Sequence, residues 1–275
     1  MPVTVNRDLS QLRETARAVR RDIVRMIGAA ASGHPGGSLS AADLITALYF
    51  AEMNHDPRHA DDPNRDRFVL SKGHGVPAQY AVMARAGYFD PELLSTLRQF
   101  ESPLQGHPER GRMPGLEAST GSLGQGISIG QGMAMAARLD GAAWRTYVLI
   151  GDGEANEGQI WEAAMSAAHF GLGNLVVMMD RNGIQLDGFT KDILDMGDVA
   201  AKWRAFGWNT LVIDGHDMGQ ILDAFAKARQ VTDRPTAIVA NTVKGKGVSF
   251  MENNPDYHGV APTPDEVERA LAELA

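Results

Sequence analysis

Apolar positions recur at helical spacing over residues 8–27, where Leu12, Ala16, Val19, Ile23, Val24 and Ile27 stand between Arg and Asp residues. This periodicity predicts an amphipathic helix. Ser32-Gly33-His34-Pro35-Gly36-Gly37 stops it, and a second helix is expected from near Ser40, with Asp43 in its first turn. Short apolar runs follow at 67–70, 147–150, 175–179, 208–213 and 236–241. Helical character lies at 91–100, 123–139, 198–206, 217–230 and 264–275, while 54–66 reads as a polar surface loop. Strands alternating with helices predict an α/β fold, a parallel sheet flanked by helices. In 123–139, Gly124, Gly126, Gly130 and Gly132 suit close backbone packing, so a buried helix is expected, and a helix of this kind also suits a contact between chains. No repeat or linker interrupts the pattern, and residues 1–275 are read as one domain.

Composition narrows the classes of partner. A formal charge of -8 argues against nucleic acid, which requires clustered Lys and Arg to displace counterions. The absence of cysteine excludes disulfides, thiolate metal sites and a Cys nucleophile. Residues 1–21 are too polar for a secretory signal and no apolar run is long enough to span a bilayer, so no membrane partner is expected and cytoplasm is the expected location.

Candidate chemistry begins at Gly151-Asp152-Gly153-Glu154-Ala155-Asn156-Glu157-Gly158, after the run 147–150, and at Asp180-Arg181-Asn182-Gly183-Ile184, after the run 175–179. Asp-Gly alone is a common turn. An acid at one strand end paired with an amide at the next is more informative, because together they offer two hard oxygen ligands at one sheet edge. The carbonyl of Ile184 would be a third, and diphosphate oxygens and water would complete the near-octahedral shell of magnesium, or of calcium or manganese in its place. The alternative reading has Asp152 capping the next helix and Asn182 in a type I′ Asn-Gly turn.

Four histidines, His34, His74, His107 and His258, lie in glycine-bearing loops. Singly each reads as an ordinary loop histidine; together they suggest a convergent polar site able to exchange protons near neutral pH. His55, His59, His169 and His216 read as solvated or packing residues, and no ligand spacing suggests that histidines bind a metal. Lys244 and Lys246 could reach a phosphate through their glycine neighbours or form a solvated loop. Glu157 reads either as favourable charge at a helix N-terminus or as a buried acid at an interface.

Taken in order, Ser32-Gly33-His34-Pro35-Gly36, Ser71-Lys72-Gly73-His74, Gly106-His107-Pro108, Thr120-Gly121-Ser122-Leu123-Gly124-Gln125-Gly126, the stretch 151–158 and Tyr257-His258-Gly259 resemble the transketolase family nearly end to end. The resemblance implies a thiamine diphosphate-binding fold of the diphosphate-holding (PP) type, with Asp152, Asn182 and the Ile184 carbonyl holding magnesium. It places His74, Gly153 and His258 against the diphosphate, and Gly121 and Leu123 against the aminopyrimidine. His34, His107 and His258 would face the ketose hydroxyls and handle protons, and Glu157 would be an acid of the cofactor region at the contact between chains. Ser122 stands where many full-length members carry proline, and Arg181 where an acidic or small residue is common.

A full-length transketolase is more than twice as long, so the chain resembles the N-terminal subunit of a split enzyme. A separately encoded C-terminal subunit would supply the pyrimidine-binding domain, its activating glutamate and the groups that hold sugar phosphates, in an α2β2 heterotetramer. The implied reaction moves a two-carbon ketol unit from a ketose to an aldose, using the carbanion equivalent that the cofactor provides. The corresponding subunit of a deoxyxylulose phosphate synthase or a 2-oxoacid dehydrogenase is the alternative within the cofactor class. Outside that class, the alternative is a non-catalytic phosphate-binding scaffold.

Overall fold

Asp8 starts the first helix by accepting hydrogen bonds from the Ser10 and Gln11 amides. The computed structural model describes residues 8–186 and 188–275. Residues 1–7, the start of the segment read as too polar for a signal, lie outside the described residues. Helix α1 (Leu9–Ala30) buries Leu12, Ala16, Val19, Ile23, Val24 and Ile27, the stripe its periodicity predicts. Helix α2 (Pro35–Ala47) begins earlier than expected. Proline at the first helical position needs no N–H and brings a suitable φ, so Pro35 opens the helix instead of breaking the chain. Gly36 and Gly37 therefore occupy its first turn, and Asp43 lies buried along it.

Strand β1 (Arg67–Leu70) leads into α3 (Val76–Ala86), and the expected helix at 91–100 is a 3₁₀ turn over Pro91–Thr96. Then come α4 (Gln125–Leu139), β2 (Thr146–Gly151), α5 (Gly158–His169) and β3 (Leu175–Arg181). Two short strands, β4 (Ile184–Gln185) and β5 (Gly188–Phe189), pair with each other ahead of α6 (Thr190–Ile193) and α7 (Val199–Ala205). The chain ends with β6 (Asn209–Asp214), α8 (Met218–Gln230), β7 (Thr236–Asn241) and α9 (Pro264–Glu273).

The main sheet has the order β1-β2-β3-β7-β6, with every neighbouring pair parallel. Side-chain alternation sorts its strands onto two covered faces. Tyr147, Leu149, Val176, Met178, Ile238 and Ala240 join the core built on α1, α2, α3 and α8. Val148, Ile150, Val177, Met179 and Val239 join a second core with α5, Trp203 and Trp208. The chain passes from β3 to the far edge at β6 and returns to β7, so the strand order reverses between β3 and β7. A crevice outside the strand carboxyl ends at such a reversal is where open α/β sheets bind ligands.

Helix α4 is only partly buried within the chain, contrary to expectation. A Cβ at Gly126 would stand 2.4 Å from Ser71 Oγ, and one at Gly130 2.4 Å from Val148 Cγ2, so these glycines let the helix rest on β1 and β2. Gly132 faces open space and Leu139 is 86% exposed.

Candidate functional site

The carboxyl ends of β2, β3 and β7 bring three loops together, since Gly151 pairs with Asp180 and Arg181 with Asn241 in adjacent strands. Asp152 follows β2, with Oδ1 accepting from the Gly153 amide at 2.9 Å and Oδ2 from the Gly183 amide at 2.5 Å. It caps no helix: Gly153 and Glu157 occupy the cap positions that follow. Nor is Asn182 in a type I′ turn, which needs positive φ at two successive residues, because Gly183 (φ 78) has it and Asn182 does not. Asn182 Oδ1 accepts from the Ile184 amide at 3.2 Å, and its Nδ2 donates to Asp180 Oδ2 at 3.3 Å. Burial first, and then the Asp180 charge, push the Asp152 carboxyl up to about 6.

The four loop histidines converge. Ring centroids of His34 lie 5.3 Å from His74, 6.2 Å from His107 and 5.7 Å from His258, and those of His74 and His258 are 5.2 Å apart. His34 precedes α2, His74 sits in the turn between β1 and α3, and His258 ends a 3₁₀ turn, Pro255–His258, between β7 and α9. Glycines make the gathering possible. Gly121 (φ 147) lies so close to His107 that a Cβ would meet its Cδ2 at 3.0 Å, and a Cβ at Gly37 would meet His74 Nε2 at 3.4 Å. Burial holds His34 down at about 4, with Arg98 and His107 adding to it, and His258 at about 3, with Lys244 adding. His74 and His107 are lowered by burial as well. All four rings are therefore neutral at pH 7, able to donate from one nitrogen and accept at the other.

Lys244 is buried in this cleft, donating from Nζ to the Ile184 carbonyl at 3.2 Å and to His258 Nδ1 at 2.6 Å. Burial and the Lys72 charge lower it to about 8. Lys246 points elsewhere and pairs with Glu252 at 3.2 Å, so the two lysines considered together have separate roles. Leu123 is half-buried, while Glu157 is exposed immediately ahead of α5, at the helix N-terminus and not buried within the chain.

Sequence reasoning missed two buried hubs. Asp180, fully buried, accepts from Lys72 Nζ at 2.5 Å, from Ser40 Oγ at 2.6 Å and from Thr242 Oγ1. Glu154 accepts from Ser71 Oγ at 2.5 Å and from the Gly124 and Gly151 amides at 2.9 and 3.0 Å, tying three loops of the site together. The available signal was a charged residue adjoining an apolar run, Asp180 after Met179 and Lys72 soon after Leu70; a charge carried into a core needs a partner.

The depressed His34 pKa predicts a pH effect on stability. Between about 6.5 and about 4 the unfolded chain binds the His34 proton before the folded chain does, so stability falls on acidification through that window. The raised Asp152 value acts in the opposite direction, equally in wild type and variant. His34→Gln should remove its share, about 1 kcal/mol at pH 5 after allowance for partial exposure. Thermal midpoints at pH 7 and pH 5 check this, and an equal drop in both proteins would refute it.

Residues 10–274 match the family described as "Transketolase, thiamine diphosphate binding domain". The chain is 42% identical over 270 residues to one subunit of the apulose-4-phosphate transketolase of Actinobacillus succinogenes, covering 98% of each chain. It is 44% identical over 263 residues to a 6-deoxy-6-sulfo-D-fructose transketolase subunit from Clostridium sp., covering 96% of each. Among solved structures, a mutant transketolase from Pichia stipitis superposes with a TM-score of 0.92 at 34% identity, over 96% of this chain and 41% of that one. Campylobacter jejuni transketolase superposes with 0.91 at 32% identity, over 97% of this chain and 43% of that one. The chain thus spans about two fifths of these solved transketolases. Among the described residues, no helix is long and apolar enough to cross a membrane. By its match along nearly its whole length, in sequence and in fold, the chain belongs to the transketolase family, as its N-terminal, thiamine diphosphate-binding part.

Proposed function

We propose that this chain is the N-terminal subunit of a two-chain transketolase, a transferase that moves a two-carbon ketol unit from a ketose phosphate to an aldose phosphate. The observation that carries the reading is the convergence of four imidazoles, which Lys244, bonded to both His258 and the Ile184 carbonyl, ties to the strand ends bearing Asp152 and Asn182. The residues present fit the cofactor. His34 Nδ1 is buried without a hydrogen-bond partner, and Gly37 and Gly121 leave the space a side chain would fill. The Ile184 carbonyl already faces a cation, the Lys244 ammonium.

Asp152, Asn182 and the Ile184 carbonyl would hold magnesium, or calcium or manganese. A single carboxylate leaves such an ion net positive, which suits a diphosphate. Gly153, His74 and His258 would lie along the diphosphate, with Gly121 and Leu123 at the aminopyrimidine. When bound, thiamine diphosphate supplies the carbanion equivalent that a ketose carbon–carbon cleavage requires. This chain's own task is proton handling: His34, His107 and His258 would give protons to, and take them from, substrate hydroxyl oxygens as charge develops there. Exposed Glu157 would serve at the contact between paired chains, next to the open face of α4, in an α2β2 assembly with a separately encoded partner, in the cytoplasm.

Calorimetric titration of thiamine diphosphate in magnesium tests the cofactor half of the reading. Asp152→Ala should weaken binding at least about 10–100-fold, the scale seen when even outer partners of a metal are lost. Unchanged affinity would refute the assignment. Carbon dioxide release from pyruvate by the assembled enzyme, without ketol transfer from a sugar, would overturn the reaction proposed.

A further inference from the structure

We infer that His216, outside the cleft, is a positioning residue that sets Val243 and, through it, Lys244. β6 and β7 end side by side, with Asp214 opposite Asn241. The Gly215 amide donates to the Asn241 carbonyl at 2.8 Å, and a Cβ on Gly215 would lie 2.5 Å from Thr242 Cγ2. This near-contact delivers the next side chain, His216, to the start of the Lys244 loop. Its Nε2 accepts from the Val243 amide at 2.8 Å. A ring nitrogen that accepts carries no proton, so the proton of the neutral ring is on Nδ1, which stands 2.7 Å from Asp43 Oδ2.

Asp43 is in turn gripped by both terminal nitrogens of Arg20, at 3.2 and 2.5 Å. These side chains are largely sequestered, with exposures of 9% for Arg20 and Asp43 and 14% for His216. A buried ion pair is weak evidence of stability, and the contacts here point to orientation instead. Here it runs from α1 through α2 to the turn after β6 and ends on one backbone amide. On the cleft side of that amide, Thr242 Oγ1 donates to Asp180, Lys244 Nζ reaches Ile184 and His258, and the Gly245 amide donates to the Gly36 carbonyl at 3.0 Å. The Arg20–Asp43–His216 chain therefore braces from behind the loop whose lysine lies among the proposed cofactor ligands. The inference rests on the reading of the cleft as a thiamine diphosphate site only for its consequence on binding.

Two substitutions separate the ring's two nitrogens. His216→Gln can place a carbonyl where Nε2 accepts, whereas His216→Asn reaches only the Nδ1 position. In the full chain, Asn should speed amide exchange in the 242–247 segment about tenfold and weaken thiamine diphosphate binding about tenfold, the scale of a lost outer-shell partner. Gln should stay within about threefold of wild type in both, on the same scale. Equal losses in the two variants, or an Asn variant indistinguishable from wild type in exchange, would overturn the inference. Ring nitrogen-15 spectra of the wild type need no variant: a proton on Nε2 in place of Nδ1 would also overturn it. If wild type fails to bind thiamine diphosphate, the reading of the cleft fails, while exchange and ring spectra still judge His216.

Discussion

Assayed without its partner, the chain is expected to transfer no ketol unit, and adding the C-terminal subunit should raise turnover at least about 10³-fold, within the range that loss of acid–base groups alone produces. His107 is exposed, and so are Leu186, Phe189, Ile193 and Leu194, on the segment that follows Ile184. Apolar side chains beside a polar cleft suit a covering surface, and chemistry that develops a carbanion requires water to be excluded. Neither glutamate of the 151–158 stretch is available as a buried acid for the aminopyrimidine: Glu154 is committed to Ser71, Gly124 and Gly151, and Glu157 is exposed. Steady-state ketol transfer measured for each chain alone and for the mixture checks this. A lone chain working within tenfold of the mixture would refute it.

Asp180→Ala should destabilise the chain by about 3–5 kcal/mol, the cost of leaving a buried charge without its partner. For a protein of this size that lowers the thermal midpoint by roughly 6–20 °C. Lys72, 1% exposed, would keep only the Gly37 carbonyl at 2.7 Å. Ser40, Thr242 and Asn182 would lose an acceptor together. Although burial alone would raise the Asp180 carboxyl, Lys72 and the two hydroxyls hold it below its ordinary value. Adding Lys72→Met should recover much of the loss, because it removes the orphaned ammonium. Differential scanning calorimetry of both proteins decides, and a fall of less than about 2 °C in the single variant would contradict the account.

The parallel strands and most helices are legible because each carries its own period. β1 and β7 lie where their apolar runs place them, and α1 buries the stripe expected from spacing. The start of α2 is hidden because glycine and proline read as breakers, although proline suits a first helical turn. The exposure of α4 is hidden because small residues signal close packing but not what they pack against; two of its glycines face the sheet and another faces open space.

The cleft is legible to the extent that its members advertise themselves locally, as His34, His74, His107 and His258 do by standing in glycine-bearing loops. Asp180, Lys72, Glu154 and His216 do not, because their partners lie 108, 83 and 173 residues away in the pairs Lys72–Asp180, Ser71–Glu154 and Asp43–His216. The α/β alternation, the family and the residues at strand ends follow from the order of amino acids, since period and motif are properties of neighbours along the chain. Which imidazoles meet, that Lys244 lies within the cleft while Lys246 leaves it, and which buried charges hold the loops follow only from the folded arrangement. Those outcomes depend on strand order and on which residues burial forces into contact.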